Sequence, residues 1–143
     1  MKKYARLIGG AVVAAVLNAP VALAADKREF VKLPDEIRDG VIVNMRDHLQ
    51  TLLDLLKHLS EGDFEMAANA AETRIGLSSP ASHSANYMAP LIPEEMRTIG
   101  TRMHTAASRF AERTRRGDLD QAYDALGVIT AACTTCHYRY RIR

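Results

Sequence analysis

The chain reads as an all-α protein, a four-helix bundle with its chemistry on the last helix. Three observations predict this. Apolar residues recur at helical period in four separate segments. Prolines, glycines and acidic side chains stand where helix starts and stops require them. Two connections are short and one, between the second and third helices, is longer, which is how a four-helix bundle is linked.

The first 24 of the 143 residues have the three parts of an export signal. Lys2, Lys3 and Arg6 make a positive start, Leu7 to Leu17 is an apolar stretch, and Ala22-Leu23-Ala24 is a small-x-small cleavage site. The apolar run is short for a bilayer span, and Asn18 and Pro20 interrupt it. Cleavage after Ala24 is expected, leaving residues 25–143 as one domain. Three of the 19 basic residues depart with the signal, so the mature chain sets 16 Lys and Arg against 17 Asp and Glu. That near-neutral balance gives no reason to expect a nucleic-acid partner. Arg113, Arg115, Arg116, Arg139, Arg141 and Arg143 crowd the C-terminal third, an asymmetry suited to orienting a charged partner.

The first helix starts near Pro34, with Asp35 and Glu36 complementing the positive helix end. Ile37, Val41, Met45, Leu49, Leu52, Leu53, Leu56 and Leu59 form one apolar stripe over about six turns. Gly62 closes this helix. Asp63 caps a shorter second helix, with Phe64, Ala67, Ala68, Ala71 and Ile75 inward and the alanines allowing close approach of neighbours. From about Ser78 to Ile92 the Ser- and Pro-rich sequence predicts a loop. Pro93-Glu94-Glu95 opens the third helix, with Met96, Ile99, Met103, Ala107 and Phe110 on one face, and Gly117 ends it. Asp118 and Gln121 have capping-box spacing and start the fourth helix. Its stripe is Leu119, Ala122, Leu126, Ile129, Cys133, His137 and Tyr140.

That stripe contains Cys133-Thr134-Thr135-Cys136-His137, which uses both cysteines of the chain. Cys-x-x-Cys-His is the attachment site of a c-type haem. Residues at i, i+3 and i+4 share one helix face. Two sulfurs can therefore bond the two vinyl groups of one porphyrin while the imidazole reaches the iron. A redox dithiol would call for a βαβ context. A zinc site would call for a second ligand pair. The sequence offers neither. With both cysteines engaged, no structural disulfide is expected.

Position and flanking residues add a family resemblance. The motif lies close to the C-terminus and is followed by Tyr140 and Arg141. In this it resembles the class II cytochromes c, the cytochrome c-prime type of bundle. The resemblance covers the architecture of residues 25–143 and, residue by residue, Cys133, Cys136, His137, Tyr140 and Arg141. It implies one covalent haem c, a periplasmic location, and His137 as proximal iron ligand. It implies that Tyr140 and Arg141 pack on or hydrogen-bond to the haem surround. It places an early first-helix arginine at the haem propionates, for which Arg38 is the nearest match and Arg46 a second option. It also turns the sixth iron position toward the first helix. Met45 is the matching candidate there, as in the low-spin, methionine-ligated members that carry single electrons between redox proteins. His48, one turn later, is the alternative ligand. Were Met45 only to cover the iron, the chain would instead be a five-coordinate haem protein binding small gases such as NO or CO. A homodimer through the first two helices is compatible with either reading.

One segment departs from a plain carrier of this kind. His83 and Met88 in the long loop, with Met103 and His104 in the third helix, are soft-to-borderline ligands. Together they would make a copper site in a metal-handling or stress-response module. No nucleophile motif, phosphate loop or convincing carboxylate pair marks an enzyme. His58, near the end of the first helix, suits the negative helix pole.

Overall fold

The computed structural model describes residues 25–83 and 85–143; the expected export signal, residues 1–24, lies outside the described residues. The described chain is mostly helical, as an all-α sequence should be. A two-residue strand β1 (Glu29–Phe30) precedes α1 (Asp35–Glu61) and α2 (Phe64–Arg74). Two one-turn helices, α3 (Pro80–His83) and α4 (Ala85–Met88), and a 3-10 turn (Ala89–Leu91) lead to α5 (Glu94–Thr114). The last helix, α6 (Leu119–Arg139), runs into β2 (Tyr140–Arg141).

Local chemistry sets the helix ends. Gly62 sits at φ 73°, where a left-handed residue closes α1. Its N–H donates to the Leu59 carbonyl and the Asp63 N–H to the His58 carbonyl. Asp63 then accepts from the Met66 N–H to start α2. Asp118 does the same for α6, accepting from the Gln121 N–H at 3.0 Å, while the Gln121 amide returns a hydrogen bond to the Asp118 side chain at 2.8 Å. Just past the end of α2 the chain turns back so tightly at Gly76 that a Cβ there would lie 2.7 Å from the Glu72 carbonyl oxygen.

The packing runs α1 on α2, α2 on α5, and α5 on α6. Ala67, Ala68 and Ala71 of α2 are fully buried, which lets the helices on either side come close. The main core gathers Leu55 and Leu59 of α1, Ile75 after α2, Phe110 of α5 and Ile129 of α6. Arg74 of α2 ties back to α1 through Asp47 and Asp54, each at 2.5 Å. A second cluster of Val31, Leu33, Ile99 and Tyr140 joins the segment before α1 to the end of α6. There β1 pairs in parallel with β2, Glu29 opposite Tyr140 and Phe30 opposite Arg141.

Several sequence expectations are revised. The Ser78–Ile92 stretch contains α3, α4 and a 3-10 turn instead of plain loop. Tyr140 does not continue the stripe of α6: its backbone is extended at φ −123° and ψ 150°, and its ring packs beside Val31 and Leu33. Leu119 is exposed at the first turn of α6. The largest difference is on α1. The face it buries carries His48, Thr51, Leu55 and Leu59. Leu49, Leu53 and Leu56 remain 70%, 60% and 46% exposed. A single helix can show two apolar faces, and a linear stripe count does not tell which one the neighbours cover.

Phe110 is fully buried at the centre of the main core. Phe110→Ala is expected to cost about 3–5 kcal/mol in chemical denaturation; a loss under about 1 kcal/mol would mean that this core is not formed.

Candidate functional site

The outer helices α1 and α6 face each other across a cleft of about 800 Å³. Leu49, Leu53 and Leu56 form the α1 wall, with Arg46 among them. Tyr123, Leu126 and Thr130 form the α6 wall. The strand pairing of β1 with β2 and the second core cluster put the start of α1 beside the end of α6, so the two helices run antiparallel.

Helical spacing carries both walls toward that end. On α6 the face bearing residues 123, 126 and 130 continues to Cys133 and His137. On α1 the face bearing Leu49, Leu53 and Leu56 continues back to Met45, itself 37% exposed. Met45 and the Cys-x-x-Cys-His motif therefore approach the cleft at the same end.

The motif occupies the last turns of α6. Cys133 packs against the main core and Cys136 against the second cluster, so the two thiols straddle the junction of both. Both are half-buried, and burial pushes each thiol above its ordinary pKa, with Cys133 adding a smaller upward push on Cys136. That environment is opposite to the one that activates a redox or catalytic thiolate. His137 is exposed in the last turn, and its carbonyl accepts from the Arg28 guanidinium at 3.4 Å. The hydroxyls of Thr134 and Thr135 donate back to carbonyls of their own helix.

The other predicted residues are distributed as follows. Arg38 is held at the helix start by Asp35 at 2.7 Å and Asp39 at 3.1 Å. Arg46, the second option, is the arginine that lines the cleft. Tyr140 is buried, and its hydroxyl donates to Glu95 at 3.3 Å. Burial first, and then the Glu95 carboxylate, push its pKa up. Arg141 lies over the Phe30 ring at 4.9 Å and pairs with Asp26 at 3.7 Å. His58 is 4.0 Å from Glu61, as suits the end of α1.

His48 is placed away from the cleft. It is 6% exposed, and its ring meets that of His104 of α5 edge to face, with centroids 6.3 Å apart. The reason is angular: three residues beyond Met45, a side chain turns toward the α2–α5 side of α1. The expected grouping of His83, Met88, Met103 and His104 is also dispersed. His83 is exposed, Met88 joins the second cluster, Met103 joins the main core, and His104 bonds to the Ile75 carbonyl. Among the described residues no three His, Cys, Asp or Glu side chains converge as a metal site, and no helix is long and apolar enough to cross a membrane. Sequence reasoning missed the His48–His104 contact, whose only signal was a histidine in each of two helices.

Burial holds the His48 imidazole below its ordinary pKa, reinforced by His104 and by Arg74 and opposed by Asp47. The unfolded chain then binds the proton more readily than the folded one. Stability is complete above the ordinary histidine value of about 6.5 and is lost as pH falls below it. The denaturation midpoint is expected to drop between pH 7.5 and pH 5, and His48→Leu should flatten that slope; an unaltered slope in the variant would refute the assignment. In comparisons with known proteins, no family model, curated protein or solved structure matches the chain.

Proposed function

We propose that residues 25–143 are an exported, periplasmic monohaem c-type cytochrome, a four-helix bundle of the class II cytochrome c kind that carries single electrons between protein partners. One observation carries the reading: Cys133 and His137 fall at helical spacing on the α6 face that bears Tyr123, Leu126 and Thr130 of the apolar cleft, with Cys136 one turn from Cys133. The cleft volume of about 800 Å³ falls inside the usual range of cofactor pockets, roughly 300–1,000 Å³. Its exposed leucines are the surface that a large planar apolar group would cover.

The residues present fit a covalently held haem. Cys133 and Cys136 supply two sulfurs one helical turn apart as anchors. His137 supplies an imidazole for the proximal position. Met45 supplies a thioether from the opposite helix at the same end of the cleft. Leu49, Leu53 and Leu56 exclude water from the far wall. Arg46 offers a cation to acidic groups at the rim. When bound, haem supplies an iron that changes oxidation state by one electron. A thioether donor and an apolar surround both favour the less charged, reduced state of such a centre.

Produced in a host able to attach haem, the protein should be coloured and carry the mass of one prosthetic group. A colourless chain ends this reading. The ferric and ferrous spectra should be low-spin and indifferent to carbon monoxide. Met45→Ala should open the site, giving a high-spin spectrum that shifts on carbon monoxide. If the unsubstituted protein already behaves that way, gas binding replaces electron transfer as the function.

Leu53 supplies a second test. An ordinary surface leucine changes stability by no more than about 0.5 kcal/mol when shortened. In the haem-bearing protein Leu53→Ala should cost about 2 kcal/mol or more, as a core leucine does. A surface-like value would mean that nothing covers the α1 wall.

A further inference from the structure

We infer that the groove between α5 and α6 is a docking site for an acidic helical segment of a partner protein. The inference does not rest on the haem reading.

The first observation is shape. The two helices pack side by side and leave an open groove of about 380 Å³. Ala106 of α5 and Ala125 of α6 form its floor, and both are buried. Small residues at the floor let the backbone of a third helix come close. Val128 stands at the α6 edge, 58% exposed, and offers an apolar contact to whatever enters. At about 100° per residue, Ala125 and Val128 fall on one flank of the face that α6 buries, and Tyr123, Leu126 and Thr130 of the α1–α6 cleft fall on the other. The groove is therefore separate from the cleft.

The second observation is charge. Arg102, Arg109 and Arg113 line the α5 side, and all three are exposed. Their spacing of seven and then four residues puts them on one row, about 16 Å long at the helical rise. Among the described residues none of the three has an ion-pair partner, although Glu112 shares the helix and Asp124 lies on α6. Other arginines are satisfied: Arg74, Arg97, Arg115 and Arg139 each reach a carboxylate. A guanidinium presents two parallel N–H donors that match a carboxylate, so the unpaired row is a ready receptor for acidic side chains.

Shape and charge together select the occupant. Carboxylates at i, i+7 and i+11 of a helix repeat both the rise and the angle of the arginine row. The face between them would lie on the alanine floor and against Val128, as a helix lies in a groove. A bilayer surface is flat and would meet the arginines without reaching that floor. Residues 25–143 hold 16 Lys and Arg against 17 Asp and Glu, so the molecule as a whole carries no excess of positive charge. Attraction for an acidic partner then depends on local rows such as this one.

The test uses two labelled alanine-based helical peptides of identical composition and follows their binding to the mature protein by fluorescence anisotropy. One carries glutamates at i, i+7 and i+11; the other has them scattered around the helix. The matched peptide should bind roughly tenfold tighter or more, and its affinity should fall steeply as salt is raised. The double variant Arg102→Gln, Arg109→Gln should weaken it roughly tenfold or more. Val128→Glu, which sets a negative charge opposite the row, should abolish binding, and Arg116→Gln, exposed outside the groove, should leave it unchanged. Circular dichroism checks that each variant is folded; all the substituted side chains are exposed. No binding of the matched peptide, equal binding of the scattered one, or equal weakening by Arg116→Gln overturns the inference. So does binding to vesicles of anionic phospholipid that needs the same arginines while the matched peptide does not bind. The haem spectrum is read in the same samples, so a colourless protein and one that ignores the peptide are distinct failures.

Discussion

The alanine face of α2 is the constraint on which the architecture depends. Ala67, Ala68 and Ala71 are fully buried, so α1 and α5 both close on a thin, eleven-residue helix. Arg74 reinforces the contact by reaching Asp47 and Asp54 of α1. With α6 packed on α5, the two outer helices are set apart by the helices between them. A cleft between α1 and α6 follows from that order of packing. Its walls are apolar because α1 carries leucines on more than the face it buries.

At one end of the bundle the segment before α1 meets the segment after α6. Residues 29–30 pair with residues 140–141, the Val31 N–H donates to the Arg141 carbonyl, and Arg141 covers Phe30. Arg139 and Tyr140 both engage Glu95, at the start of α5. The last turns of α6 are thereby held on two sides, against α5 and against the segment that leads into α1. On the proposed reading, three side chains that hold one rigid group would gain from such support, because anchors on a fraying helix end would hold it loosely. Cys136 is part-buried against the cluster at this clamp, and Cys133 against the main core.

Much of this was legible along the chain. Gly62, Asp63 and Asp118 marked helix ends correctly because capping is a contact between residues two to four apart. The inward faces of α2 and α5 were also readable, since each has one dominant apolar stripe. The face of α1 was not. Counting leucines gave Met45, Leu49, Leu53 and Leu56 priority, while packing buried His48, Thr51 and Leu55. Arg38 was the nearest match for a cation at the site and Arg46 the second option. Two carboxylates adjoining Arg38 engage it, and the turn of the helix takes Arg46 to the cleft.

By itself the sequence determined the helical class, the capped helix ends at Gly62, Asp63 and Asp118, and the i, i+3, i+4 spacing of Cys133, Cys136 and His137 on the final helix. These depend on periodicity and on neighbours a few residues apart, and both are properties of local chain geometry. Tertiary structure decided which face of α1 meets its neighbours, that Tyr140 leaves the helix to pair beside β1, and that His48 meets His104 across fifty-odd residues of chain. Those outcomes turn on which helix lies against which. That choice is made by the fit of whole surfaces, alanine against leucine and arginine against aspartate, and no single segment contains it.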